Sequence, residues 1–311
     1  MESLMLSLRA VTPMMIYIFF GYFVGQRSFF GREQMSLLSK MLFSFFYPIL
    51  LFRNTYRQDV SEAKLSVVLF AVAYLLFLMA ILPVLVPKFE KDRTRIPVII
   101  QGIYRSNAAL FSLPIVTSIF GESAAVIVVV LLVFIPTIYN IYAAAILEYY
   151  RGSSVKIPVL LRNIVTNPMI AGTIAGVLFH WSGLPFPEVL TEPLNALANV
   201  ATPLALFALG GTLDFSKVGR NRKTLSVTIA LKLIAVPLAV FMISLLFPFT
   251  AAERFTILAM NMTPVATSSY PMAVSMGADG QLAAQLVVFS SVASLVTTFL
   301  WIFLLGQMGM L

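Results

Sequence analysis

Residues 95–121, RIPVIIQGIYRSNAALFSLPIVTSIFG, and 252–277, AERFTILAMNMTPVATSSYPMAVSMG, decide how this chain folds. Each is a run of membrane-helix length whose polar residues and prolines gather near its centre. The first holds Gln101, Arg105, Ser106, Asn107, Ser112 and Pro114; the second holds Asn261, Thr263, Pro264, Thr267, Ser268, Ser269 and Pro271. Proline lacks a backbone donor and clashes with the preceding turn. Inside a bilayer the freed carbonyls must find protein or cavity water. Two broken helices are therefore expected, interrupted at about residues 107–113 and 264–270, with short second halves from Pro114 to Phe120 and from Pro271 to Met276. A pair of ordinary proline kinks is the plainer alternative.

The rest of the chain sets these runs in a membrane. With 311 residues, 59% hydrophobic and 11% charged, and a mean hydropathy of +0.93, there are too few polar residues to cover a soluble globule of this size. A spanning helix takes about 20 residues. Ten candidate spans read as 6–25, 36–52, 64–86, 95–120, 124–147, 159–181, 193–213, 224–247, 252–277 and 280–305. They leave no room for a soluble catalytic domain. The fold expected is an all-α integral membrane protein of ten transmembrane helices, the fourth and ninth broken and crossing. The first apolar run has no convincing small-residue cleavage site and reads as retained.

Composition also excludes chemistry. There is no cysteine, which removes disulfides, thiolate metal sites and cysteine nucleophiles, and the single histidine, His180, cannot build a histidine metal cluster. HExxH, GxSxG and paired intramembrane carboxylates are absent, so an enzyme is the least favoured reading. The net charge of +8 is scattered between apolar runs rather than gathered in a basic face, which points to topology and not to nucleic acid. Fourteen Lys and Arg fall in alternate connections, at Arg27, Arg32 and Lys40, at Lys88, Lys91, Arg93 and Arg95, at Arg151, Lys156 and Arg162, and at Lys217, Arg220, Arg222 and Lys223. Five, Arg9, Arg53, Arg57, Lys64 and Arg254, lie on the other side. The positive-inside rule then puts both termini outside the cytoplasm, in the cytoplasmic (inner) membrane of the cell.

The chain also resembles itself at an offset of 155 residues. Pro13, Met14 and Gly21 recur as Pro168, Met169 and Gly176; Pro48, Leu51, Phe52, Asp59 and Ser61 recur as Pro203, Leu206, Phe207, Asp214 and Ser216. Pro114 matches Pro271 in the broken spans. Residues 1–150 and 151–311 read as two five-helix repeats. An odd number of spans inverts the second copy, the arrangement of secondary transporters with a substrate at the midplane. Helix N-termini opening at two such breaks suit an anion.

Within the breaks, Arg105 lies roughly 15 Å into its span, where an unpaired charge costs a few kcal/mol. It either clamps a substrate carboxylate or pairs with freed carbonyls. Lys232, in span eight, either snorkels to the cytoplasmic face or stands beside the crossing in place of a bound cation. Asn107, Asn261, Thr263, Thr267, Ser268 and Ser269 cap helix ends or contact substrate, and Tyr139 with Asn140 faces the core or the site. Pro264, like Pro114 and Pro271, marks a helix break. Gly21, Gly25, Gly172 and Gly176 read as packing. His180 beside Trp181 reads as an interface anchor, and Asp59 and Asp214 as local caps. No cofactor and no metal are implied.

Asn167, Pro168 and the small residues after them, the Pro203–Asp214 stretch with Gly210 and Gly211, and the two proline-broken spans together resemble the auxin efflux carrier family in its short bacterial form. Plant PIN-FORMED carriers are similar but carry a long central loop absent here. The resemblance covers the whole chain. It implies a scaffold of spans one, two, six and seven, a transport domain of spans three to five and eight to ten, and a homodimer formed through the scaffold. It also implies substrate at the crossing of spans four and nine, with Asn107 and Asn140 near a carboxylate. Bacterial relatives are associated with malate, malonate and similar acids. The expected function is thus secondary transport of small organic anions, such carboxylates or auxin-like acids, by elevator-type alternating access. A sodium-coupled carrier similar to the bile acid symporters is the rival, with proton coupling left open by Lys232; a membrane-embedded ligand sensor is the rival from another class.

Overall fold

A computed structural model of the chain describes residues 2–26, 31–56, 65–152, 162, 166–212 and 218–311. Asp59, Asp214, Ser61, Ser216, Arg27, Arg57, Lys64, Lys156 and Lys217 lie outside the described residues. Among those described the chain is all-helical, without a strand. In order come α1 (Glu2–Gly25), α2 (Arg32–Met41), a π-helical turn (Leu42–Phe46), α3 (Tyr47–Tyr56), α4 (Leu65–Phe89), α5 (Ile96–Tyr104), α6 (Ala108–Phe120) and α7 (Glu122–Arg151). Then come α8 (Pro168–Trp181), α9 (Glu188–Thr212), α10 (Val218–Ala230), a second π turn (Leu231–Ala235), α11 (Val236–Ser244), α12 (Ala251–Met262), α13 (Ser269–Ser275) and α14 (Gly280–Gln307).

Among the described residues six stretches are long and apolar enough to cross a bilayer: Glu33–Arg53, Leu65–Phe89, Val130–Arg151, Glu188–Gly211, Asn221–Ser244 and Gly280–Gln307. Met15–Gly25 and Pro168–Trp181 are shorter apolar helices. Their outer faces carry Phe19, Leu69, Phe77, Leu178, Ile234, Met242 and Phe303 exposed. Such a surface is stable against lipid and not against water.

The breaks fall elsewhere than the prolines suggested. The first occupies residues 105–107, not 107–113, and its second half starts at Ala108, so that Pro114 lies inside α6 rather than at its start. The second occupies residues 263–268, and α13 starts at Ser269 with Pro271 as its third residue. Proline needs no hydrogen-bond partner in a first turn, and inside a helix it removes one bond without ending it. The interruptions sit where two extended backbones can pair. The expected start of the sixth run, residue 159, lies outside the described residues; within them Asn167 caps α8, its side chain accepting the Met169 N–H at 3.0 Å.

Packing is closest where backbones touch. α1 lies along α9 and α3 along α8. A Cβ on Gly21 would stand 2.0 Å from the Phe207 carbonyl oxygen, one on Gly210 2.0 Å from that of Ile18, and one on Gly172 2.4 Å from that of Pro48. At the opposite end of α5, the 90–95 connection is pinned to the start of α14. Asp279 N–H donates to the Thr94 carbonyl at 2.9 Å, and Arg95 pairs with Glu90 at 3.3 Å and Asp279 at 3.7 Å. Hydrogen bonds from Thr94 to the Asp92 carboxylate hold that group below its usual carboxylate value.

Because these contacts leave no room for a methyl group, Gly21→Ala and Gly210→Ala should each lower the thermal midpoint of the purified protein, overpacking costing about 1–3 kcal/mol. Gly219→Ala, whose Cβ meets nothing within 4 Å, should leave it unchanged. Equal midpoints for all three would refute the backbone contact.

Candidate functional site

The two interruptions meet. Ser106 and Val265 pair in an isolated antiparallel bridge, and Asn107 N–H donates to the Pro264 carbonyl at 2.8 Å. Val265 N–H donates to Ser290 Oγ of α14 at 3.0 Å. Pro264 suits this place because it brings no N–H needing a partner and its carbonyl is used. The backbone is extended at Arg105 (ψ 117°) and at Thr263 (ψ 157°), which ends α5 and α12 there.

Arg105 is 2% exposed and turns its guanidinium inward. Nη1 donates to Gln101 Oε1 at 3.0 Å and to Met272 Sδ at 2.9 Å; Nη2 donates to Asn140 Oδ1 at 2.5 Å and to Ser268 Oγ at 2.8 Å. Residues of α5, α7 and α13 thus converge on one cation, and every partner is neutral. Lys232, 0% exposed in the second π turn, does not snorkel to the protein surface: its ammonium donates to Ser106 Oγ at the crossing. Neither cation pairs with a carboxylate among the described residues; the ion pairs there include Arg95 with Glu90 and Asp279, and Arg151 with Glu148.

In and beside the two interruptions lie buried polar atoms without hydrogen-bond partners: Gln101 Nε2, Asn107 Nδ2, Thr263 Oγ1 and Ser269 Oγ. Each costs about 1–3 kcal/mol when left so. Gln101 and Ser269, with Val98, Val265, Ala283 and Leu286, line a crevice too narrow for water. Asn107 stands at the N-cap of α6 without a side-chain cap bond, and the N-cap Ser268 of α13 gives its hydroxyl to Arg105 instead.

The remaining expected residues divide. Tyr139 is buried with its ring 5.5 Å from that of Tyr104 and its hydroxyl beside Ser106. Asn261 is not brought to Arg105, because its amide donates to the Ile257 carbonyl one turn back at 2.9 Å. His180 contacts the Tyr56 carbonyl through Nδ1 at 3.1 Å, beside the 77% exposed Trp181 and far in sequence from either break. Four side chains at the crossing went unread: Gln101 and Met272 as Arg105 partners, Ser106 as the Lys232 acceptor, and Ser290. The spacing of four between Gln101 and Arg105 is a helical neighbour signal; nothing in one sequence marks Ser290.

This arrangement, broken helices crossing within an apolar bundle around a buried cation, is that of a membrane carrier and not of an enzyme. A family described as membrane transport protein matches residues 6–302, and the chain belongs to it, the auxin efflux carrier family whose resemblance its motifs carry. It is a multi-pass membrane transporter of a small molecule. An uncharacterized transporter of Methanothermobacter thermautotrophicus is 22% identical over 298 residues, covering 95% of this chain and 97% of its own length. A Rhizobium meliloti protein, whose name provisionally assigns it malonate transport, is 24% identical over 294 residues, covering 92% of each.

Ser106→Ala removes the one acceptor that the Lys232 ammonium has among the described residues, so the thermal midpoint should fall by the equivalent of about 1.5–3 kcal/mol. Adding Lys232→Met should restore much of it. An unchanged single variant would mean that the contact carries no weight.

Proposed function

We propose that this carrier moves small organic anions, carboxylates of the size of malate or malonate or auxin-like acids, across the cytoplasmic membrane. The observation that carries the reading is Arg105: a buried cation held only by neutral acceptors, among unpaired amide donors of Gln101 and Asn107. A carboxylate entering there would exchange dipoles for a charge-assisted, two-pronged bond and would satisfy those donors. Asn140 and Ser268 would release the guanidinium to it and turn their own polar groups to its oxygens. Asn107 adds the N-terminus of the 13-residue α6. The malonate in the name of the Rhizobium meliloti relative agrees with this class.

The mechanism proposed is elevator exchange. Six long helices, two shorter apolar ones and the two interrupted pairs make ten crossings, divided into repeats 1–150 and 151–311. Exchanging the halves turns the α1–α9 pair into the α8–α3 pair, which supports inversion of the second repeat. The glycine-tight block α1, α2, α3, α8 and α9 is the scaffold; the crossing and its neighbours α4, α7, α10, α11 and α14 travel. Both termini lie outside the cytoplasm by the distribution of basic residues, and the scaffold joins two copies as a homodimer.

Sodium coupling, as in bile acid symporters, is favoured by one observation, the unpaired hydroxyls of Thr263 and Ser269. The Lys232 ammonium at Ser106 favours a cation that is already built in. Replacing sodium by choline should therefore leave uptake unchanged, and a loss would bring the sodium reading forward.

In proteoliposomes malonate or malate should show counterflow, and binding without counterflow would favour a sensor. Arg105→Ala at normal membrane abundance should abolish both counterflow and carboxylate-induced thermal stabilisation, which is about 2.7 kcal/mol at one hundred times Kd. Asn140→Asp tests the electrostatics separately. It places a carboxylate on the guanidinium, so the midpoint of the empty protein should hold or rise while the response to carboxylates disappears. Full transport by either variant would refute the Arg105 site.

A further inference from the structure

We infer that Tyr47 is a specificity-determining residue, its hydroxyl donating from the scaffold side to the anion held by Arg105. This rests on the anion-site reading above. Tyr47 opens α3 immediately after the π turn, which it closes by donating its N–H to the Leu42 carbonyl. One extra residue in a helix rotates the residues beyond it by about 100° around the axis. The turn thereby aims Tyr47 away from lipid; the residue is 3% exposed. Residues 32–46 pack against α13, so the start of α3 meets the crossing. There Tyr47 lies beside Thr267 and within electrostatic reach of Arg105.

Its hydroxyl is buried and completes no hydrogen bond of full geometry, although the Thr267 side chain stands next to it as a neighbouring polar group. A buried phenol that completes no hydrogen bond in the empty protein and lies within electrostatic reach of a buried cation is a donor open to an acceptor. The other unpaired atoms around Arg105 belong to the interrupted helices. Tyr47 belongs to the helix packed along α8 through the Gly172–Pro48 contact. A ligand touching both is held by the moving and the fixed parts together. Tyr47 would add affinity in this access state and give it up when the crossing moves, so that the two sides of the membrane see different affinities.

The test is Tyr47→Phe in the full-length purified protein, with thermal midpoints measured without ligand and in titrations of acetate, malonate and malate. The expected result is a ligand-free midpoint equal to or above that of the unaltered protein, together with binding of the stabilising acid weakened about tenfold, or about 1.4 kcal/mol. Binding within twofold of the unaltered protein would overturn the assignment. So would a lowered ligand-free midpoint, since it would show the hydroxyl holding the fold. If none of the three acids stabilises the unaltered protein, the anion site itself fails and Tyr47 falls with it. If the unaltered protein responds and only Tyr47→Phe behaves normally, the anion site stands without Tyr47.

Discussion

Unpaired backbone in a membrane interior is the constraint on which everything else depends. Residues 105–107 and 263–268 leave their helices at a depth where lipid offers no hydrogen bonds. They therefore pair with each other, through Asn107 N–H and the Pro264 carbonyl, and borrow a side chain, Ser290, for Val265 N–H. Once those partners are chosen, the positions of four helix ends are set. Arg105 sits at the end of α5 and Asn107 at the start of α6. Thr263 and Ser268 flank the facing segment. The polar side chains converge because the backbone had to.

That convergence gathers positive charge without negative charge. A carboxylate beside Arg105 would neutralise it, and the desolvation cost of a buried pair would be met inside the protein. Here the cation is held by the dipoles of Gln101, Asn140 and Ser268, which steady it while leaving its charge uncompensated. Lys232 plays another part. It is bound to the side chain of Ser106, the residue whose backbone bridges to Val265, so its charge is fastened to the crossing itself. One cation is held with its charge uncompensated, and the other is tied to the crossing.

The helical character, the two interruptions and the close glycine contacts of Gly21 and Gly172 were legible from the chain alone, because each depends on a local rule: apolar run length, missing proline donors, small side chains. The boundaries of the breaks were less so. Pro114 and Pro271 drew attention, yet both are tolerated within helices, and the true interruptions obey a pairing between residues about 160 apart in sequence that no local rule describes. Side-chain roles divide the same way. Arg105 stood out because a charge at that depth needs a reason. Asn261, like Asn107, is a polar residue of a broken span, but its amide is satisfied one turn back in α12. Tyr47 was invisible, since an aromatic in an apolar run reads as core, and only its missing partner distinguishes it.

The positions of the close glycine contacts bear on how such a molecule moves. Gly21, Gly210 and Gly172 join α1 to α9 and α3 to α8, both within the block assigned to the scaffold. Backbones in direct contact cannot slide past one another without clashes, so helices joined in this way hold together as one block. The crossing is rigid for a different reason: its extended segments are tied together and to α14, so they travel as one piece or not at all. These two parts of unlike construction meet where residues 32–46 face α13, where α1 packs against α14 and α6, and where α8 meets α7. A buried hydroxyl without a full hydrogen bond beside the crossing costs free energy. On the proposed anion-site reading a ligand there would remove that cost, and occupancy would then be coupled to how the two parts sit against each other.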